Sequence, residues 1–224
     1  MALLSTADQQ MLRDALNSMQ RPVKVLFFTQ AFGCETCGEA RQILGELTAV
    51  SDRITVEELN PVLDTDRAGR YGIDRAPALV LLAGDEEEDT RIRFLGAPSG
   101  YDFMALVDAV LLVSGGRAQD LSDETQARLA AMTEPLSIRV FVTPTCGYCP
   151  RAVALANRLA FASPLVTATT VQATEFYDLA REFLVSGVPE TVASNGREVL
   201  GAQPEPQFVA ALLDGSSADA GEGG

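Results

Sequence analysis

Cys34-Glu35-Thr36-Cys37 and Cys146-Gly147-Tyr148-Cys149 hold all four cysteines of the 224-residue chain. Two intervening residues bring paired thiols within disulfide reach one helical turn apart. Such a pair can exchange with another disulfide or ligate a soft metal ion. In each half a run rich in β-branched and aromatic residues leads into the pair, PVKVLFFT (22–29) and PLSIRVFVT (135–143), and a helical pattern follows. The first cysteine of each pair is thereby placed at a helix N-terminus. Unpaired N–H groups and the positive end of the macrodipole favour a thiolate there. A free thiol with a pKa of about 8.5 is only a few per cent ionised at pH 7, so this placement matters. Cys34 and Cys146 are the expected nucleophiles, and Cys37 and Cys149 the expected resolving thiols.

The chain repeats itself. Cys34 and Cys146 are offset by 112 positions, and so are Pro77 and Pro189. Ala76-Pro77 precedes the apolar run ALVLLA, and Val188-Pro189 precedes ETVAS. Further on, Arg93-Phe94-Leu95-Gly96 resembles Glu198-Val199-Leu200-Gly201 at an offset of 105, which fits a shorter turn in the second half. Strand, cysteine pair, proline and hairpin in one order, twice, mark a tandem repeat. A residue–proline step entering a strand opposite the cysteines suits a cis bond. It also leaves the backbone before the proline free to pair with an extended substrate, so Ala76, Pro77, Val188 and Pro189 are the expected substrate-binding residues.

The elements that must position these groups follow from the hydrophobic periods. Helices are expected at 5–20, with Ser5 and Asp8 as a capping pair, at 35–50, with Ile43, Leu44, Leu47 and Val50 on the core face, near 64–71, and at 101–113. Strands are expected at 23–29, 54–59, 78–83 and 90–95. The second half repeats the order: helix 123–132, strand 137–143, helix 147–161, strand 165–171, helix 174–185, strands 190–194 and 197–200, helix 205–213. The expected fold class is α/β, two tandem units each with a four-stranded mixed sheet flanked by helices. The expected boundaries are 1–116 and 117–213, with Gly115-Gly116 opening the linker. The polar, Gly-rich stretch 214–224 is expected to be a disordered tail. The acidic run Asp85–Asp89 is expected to be a solvated hairpin turn.

A net charge of −14 gives no basic stripe for displacing counterions from nucleic acid, and it disfavours an anionic membrane surface. No apolar stretch is long enough to span a bilayer, and the N-terminus has no basic region before an apolar one. The expected location is cytoplasmic, where paired cysteines mean metal binding or redox catalysis more than structural cross-links. Zinc is the main competing chemistry. A zinc ribbon separates its pairs by about 15–20 residues, whereas 108 intervene here and each pair sits in its own repeat. No metal is expected, and no cofactor beyond the redox-active disulfides.

The order of elements resembles the thioredoxin/glutaredoxin pattern, and the doubled version resembles the protein disulfide oxidoreductase family of archaea and bacteria. Tyr71-Gly72-Ile73-Asp74-Arg75-Ala76-Pro77 and Phe141-Val142-Thr143-Pro144-Thr145-Cys146-Gly147-Tyr148-Cys149-Pro150 carry the likeness most clearly, over roughly residues 1–213. The resemblance implies reduction, and also formation or isomerisation, of disulfides in protein substrates, with electrons from a thioredoxin-reductase-like flavoprotein. The chain departs from the family at Gly147, where a proline is common, and at the acidic Glu35. Thioredoxins carry a buried Asp six residues before the first cysteine. Phe28 and Val140 stand there, and with no histidine in the chain no general base is assigned. The N-terminal module of the flavoprotein component of alkyl hydroperoxide reductase is also a double thioredoxin fold. It is set aside because it has usually lost one pair and a flavin domain follows it. The remaining alternative is a non-enzymatic redox sensor or protein-binding module.

Overall fold

The computed structural model describes residues 5–116 and 120–213. The first half runs α1 (Thr6–Leu16), β1 (Val23–Phe28), α2 (Cys37–Val50), β2 (Ile54–Leu59), α3 (Thr65–Tyr71), β3 (Ala78–Ala83), β4 (Glu88–Leu95) and α4 (Tyr101–Val113). The second repeats it as α5 (Asp123–Ala130), β5 (Leu136–Val142), α6 (Cys149–Ala162), β6 (Val166–Gln172), α7 (Tyr177–Glu182), β7 (Glu190–Ala193), β8 (Glu198–Leu200) and α8 (Glu205–Leu213). In each half the first strand pairs parallel to the second and antiparallel to the third, giving the expected four-stranded mixed sheet. The halves fuse edge to edge. Ile92–Leu95 of β4 pairs parallel with Ala168–Val171 of β6, and one eight-stranded sheet results, in the order β2-β1-β3-β4-β6-β5-β7-β8.

Both faces of this sheet are covered, so its inner strands are apolar on both sides. On β1, Val23, Val25 and Phe27 enter the larger core with α1, α2, α4, α6 and α8, while Leu26 and Phe28 enter a smaller one with α3 and α7. Residues Ala78–Ala83 of β3 are buried throughout for the same reason. Helix α4 is apolar almost all round and packs on α6 of the other half, so the repeats share one core.

The differences from expectation lie at element ends. Helix α1 has the Ser5–Asp8 capping box but stops at Leu16, because the N–H groups of Gln20 and Arg21 turn to Ser114 O, at 3.0 and 3.1 Å. Helices α2 and α6 begin at the second cysteine of each pair, not ahead of it. Helix α7 is only Tyr177–Glu182, ended by Leu184 at φ 53°. The acidic run is a turn only in part. Glu88 and Asp89 join β4, and Asp89 pairs at 2.7 Å with Arg93, which is 4% exposed. Burial pushes the Asp89 carboxyl up, but the hydrogen bonds and charges of Arg93 and Arg91 together hold it below its ordinary range. The stretch 214–224, expected to be a disordered tail, lies outside the described residues. Among the described residues no helix is long and apolar enough to cross a membrane.

Candidate functional site

Each cysteine pair sits on the loop between the end of a central strand and the helix that follows it. Both pairs are closed as disulfides with Cα atoms 5.5 Å apart. Cys34 and Cys146 are half-buried, while Cys37 is 2% and Cys149 0% exposed. The first member of each pair therefore faces outward and the second is packed behind it, at the first position of α2 or α6.

The helix start supplies a donor at the second site. The Cys149 N–H lies 3.2 Å from Cys146 Sγ and donates to it. That N–H, which also donates to Cys146 O at 3.3 Å, stands at the helix start, where a thiolate at Cys146 would share it. Pro150 follows at a position where the missing N–H leaves no intrahelical bond unmade. Among the described residues Cys34 Sγ receives no such bond.

The residue–proline steps lie where the sequence pattern puts them. Both Ala76–Pro77 and Val188–Pro189 are cis. Phe28 pairs with Ala78 and Phe141 with Glu190, so each proline enters its strand at the sheet end from which the neighbouring cysteine loop departs. Pro77 and Pro189 are buried, and Ala76 and Val188 are half-buried beside them.

Two acidic groups were missed by sequence reasoning, and both cross between the halves. Asp102, in the first turn of α4, is 1% exposed and accepts a hydrogen bond from the Gln172 side-chain amide, while its other oxygen has no partner. Burial raises its pKa to about 7, with the Gln172 bond opposing. The α4 start abuts the second cysteine loop. Tyr101 N–H donates to Pro144 O at 2.9 Å, and a Cβ on Gly100 would lie 2.2 Å from that same oxygen. Glu175, on the loop after β6, reaches the first site and accepts a hydrogen bond from the Thr36 hydroxyl at 2.6 Å. Neither group carries a local signal, since an acidic residue in a first helical turn or a loop is ordinary.

A strand-to-helix loop with an outer and a buried cysteine, a proline-led strand beside it, and this arrangement twice in one sheet define a class. The chain has a double thioredoxin-like fold with one disulfide-forming Cys-x-x-Cys pair in each half. Residues 136–214 match the family model described as the thioredoxin domain. Over 221 residues, 98% of its length, the chain is 27% identical to the F component of alkyl hydroperoxide reductase from Staphylococcus epidermidis, of which it spans only 39%. Among solved structures, the N-terminal domain of the alkyl hydroperoxide reductase AhpF from Enterococcus faecalis superposes with a TM-score of 0.85 at 28% identity, over 93% of this chain and 99% of that one. The protein disulfide oxidoreductase from Aeropyrum pernix gives 0.84 at 26% identity, over 93% and 92%. Both double-fold groups weighed from the sequence thus resemble this chain over most of its length, including the one set aside.

Proposed function

We propose that the protein reduces disulfides in partner proteins, with Cys34 and Cys146 as nucleophiles, Cys37 and Cys149 as resolving thiols, and residues 1–116 and 117–213 as the two redox units. The observation that carries this reading is the paired burial pattern: an accessible sulfur linked to a sulfur sealed behind it, twice. The Cys146 thiolate attacks one sulfur of the partner disulfide. That S–S bond breaks, and its electron pair leaves on the other sulfur, which takes a proton. Cys149, deprotonated, then attacks Cys146 Sγ and expels the partner's second thiol. The protein ends oxidised at Cys146–Cys149 and the partner reduced by two electrons. Asp102 is the group proposed to take the Cys149 proton, because the α4 start that carries it is tied to the second cysteine loop by the Tyr101 N–H to Pro144 O bond. A pKa of about 7 matches that task. The partial exposure of Ala76 and Val188 beside the prolines supports a role in holding an extended partner segment.

Electrons are proposed to return from a thioredoxin-reductase-like flavoprotein, in the cytoplasm, with the disulfides as the redox groups of this chain. The likeness to the alkyl hydroperoxide reductase AhpF supports a second reading, in which the partner disulfide belongs to a hydroperoxide-reducing enzyme. One experiment tests the reading and sorts partners. Cys149→Ser removes the resolving thiol, so mixed disulfides should accumulate at Cys146 and be visible by non-reducing mass spectrometry. Adducts attached at Cys37 instead, or an adduct level no higher than the parent's, would refute the assignment.

A further inference from the structure

Thr36 is the N-cap residue of α2 and lies between the cysteines of the first site, yet its side chain makes no cap hydrogen bond. Its hydroxyl instead donates to Glu175, 139 residues away in the other half. The second carboxyl oxygen of Glu175 accepts the Ala97 N–H at 2.9 Å. The backbone is shaped for this approach. Gly96, at φ 104°, has no room for a side chain: a Cβ there would lie 2.4 Å from the Gln172 Cβ and 3.2 Å from the Glu175 carboxyl carbon. Gly96 thus lets the β6–α7 loop close over the first unit, and the two anchors aim the carboxyl at the Cys34–Cys37 turn.

We propose that Glu175, lent by the second unit, is a positioning residue of the first disulfide: it fixes the Thr36 turn and sets a negative charge against the thiolate formed on reduction. The inference rests on the reading that Cys34–Cys37 is redox-active. Among the described residues no cation compensates that charge. From α2 it faces Thr36 and Glu39, with Glu35 exposed on the same loop. The β4–α4 loop presents only backbone at Gly96 and Ala97, β6 presents the neutral Gln172, and Asp178 on α7 is engaged by Arg75. Burial, with Glu39 adding to it, holds the Glu175 carboxyl above its ordinary range, while the bonds from Thr36 and Ala97 pull the other way.

On reduction by dithiothreitol the Cys34–Cys37 bond breaks, the two reagent sulfurs join, and two electrons pass to the cysteines. The two reagent protons go to those sulfurs, or to solvent wherever a sulfur stays a thiolate. An ionised Glu175 disfavours the thiolate, raises the Cys34 pKa, and so keeps the disulfide favoured at alkaline pH. The test uses the full chain with Cys146 and Cys149 replaced by serine, so that only the first site reports. In that background Glu175→Gln should lower the Cys34 pKa, followed by thiolate ultraviolet absorbance, by about one unit. The dithiothreitol equilibrium should move about fivefold toward the reduced form at pH 8 and not at pH 5, where the thiols of both proteins are protonated. Glu175→Asp, which keeps the charge, should track the parent. An unchanged Cys34 pKa and equilibrium in Glu175→Gln, or an Asp variant that behaves like the Gln variant, overturns the proposal. A first disulfide that does not exchange with dithiothreitol even in the parent overturns the redox reading, and this inference with it.

Discussion

A chain with both cysteines of the first pair changed to serine should keep most of its disulfide-reducing rate at neutral pH, and a chain stripped of the second pair should keep about a quarter. One pKa unit, about 1.4 kcal/mol, is enough for a tenfold difference in thiolate population. Two observations point to the second site as the faster. Cys146 Sγ already accepts the Cys149 N–H, so its thiolate meets a fixed donor. The first site instead carries the Glu175 carboxyl on Thr36, with Glu39 nearby. Glu35, directly after Cys34, adds a further acidic group at the first site. That side chain is exposed, and solvent and salt screen an exposed charge. A lower thiol pKa also makes a weaker nucleophile, with a Brønsted slope of about 0.4–0.5, so rate rises less steeply than ionisation. Initial rates of insulin-disulfide reduction by the two single-site chains decide the matter. Equal rates, or a faster first site, would show that these groups do not control the chemistry.

Asp102→Asn should raise stability and lower activity together. The carboxyl has its pKa held up at about 7 by burial, against 3.8 for the free group. A raised pKa means that the protonated form is the one the fold favours. Its contribution is complete below about pH 4 and disappears as pH rises through about 7. At pH 8 the native protein therefore holds a carboxylate that is 1% exposed, with one oxygen unpartnered. Asparagine removes that charge and can still bond Gln172. Denaturant titration at pH 8 should show a gain of about 2–4 kcal/mol, shrinking toward zero near pH 4. The second-site rate should move the other way, falling about 10²-fold and losing its inflection near pH 7, as expected when a proton acceptor is taken away. A stability gain with an unchanged rate profile would leave Asp102 as a strained core residue and nothing more.

The repeat, the outer and buried members of each cysteine pair and the proline positions were legible because each is local: a spacing, a strand running into a pair, a residue before proline. Helix and strand order came through for the same reason, since a period of two or 3.6 is written into consecutive residues. The ends of α1 and α7 did not, because a bond from Gln20 to Ser114 and a turn at Leu184 fix them. The edge-to-edge joining of β4 to β6 was also hidden. Runs such as ALVLLA say that a strand is buried on both faces but not which edge finds which partner. That joining is what brings Gln172 to Asp102 and Glu175 to Thr36, across 70 and 139 residues. No general base could be assigned from the sequence for the same reason. Phe28 and Val140, where thioredoxins place a buried Asp, are core residues of β1 and β5, and the buried carboxyl by the second cysteine loop lies on α4.

The most direct test of the central claim is turnover of insulin disulfides with dithiothreitol as the reductant, comparing the parent with a chain carrying both Cys34→Ser and Cys146→Ser. The account predicts strong acceleration by the parent and none above the uncatalysed reaction by the double variant, with both proteins folded. A double variant as active as the parent, or a parent that does not accelerate the reaction, would contradict it.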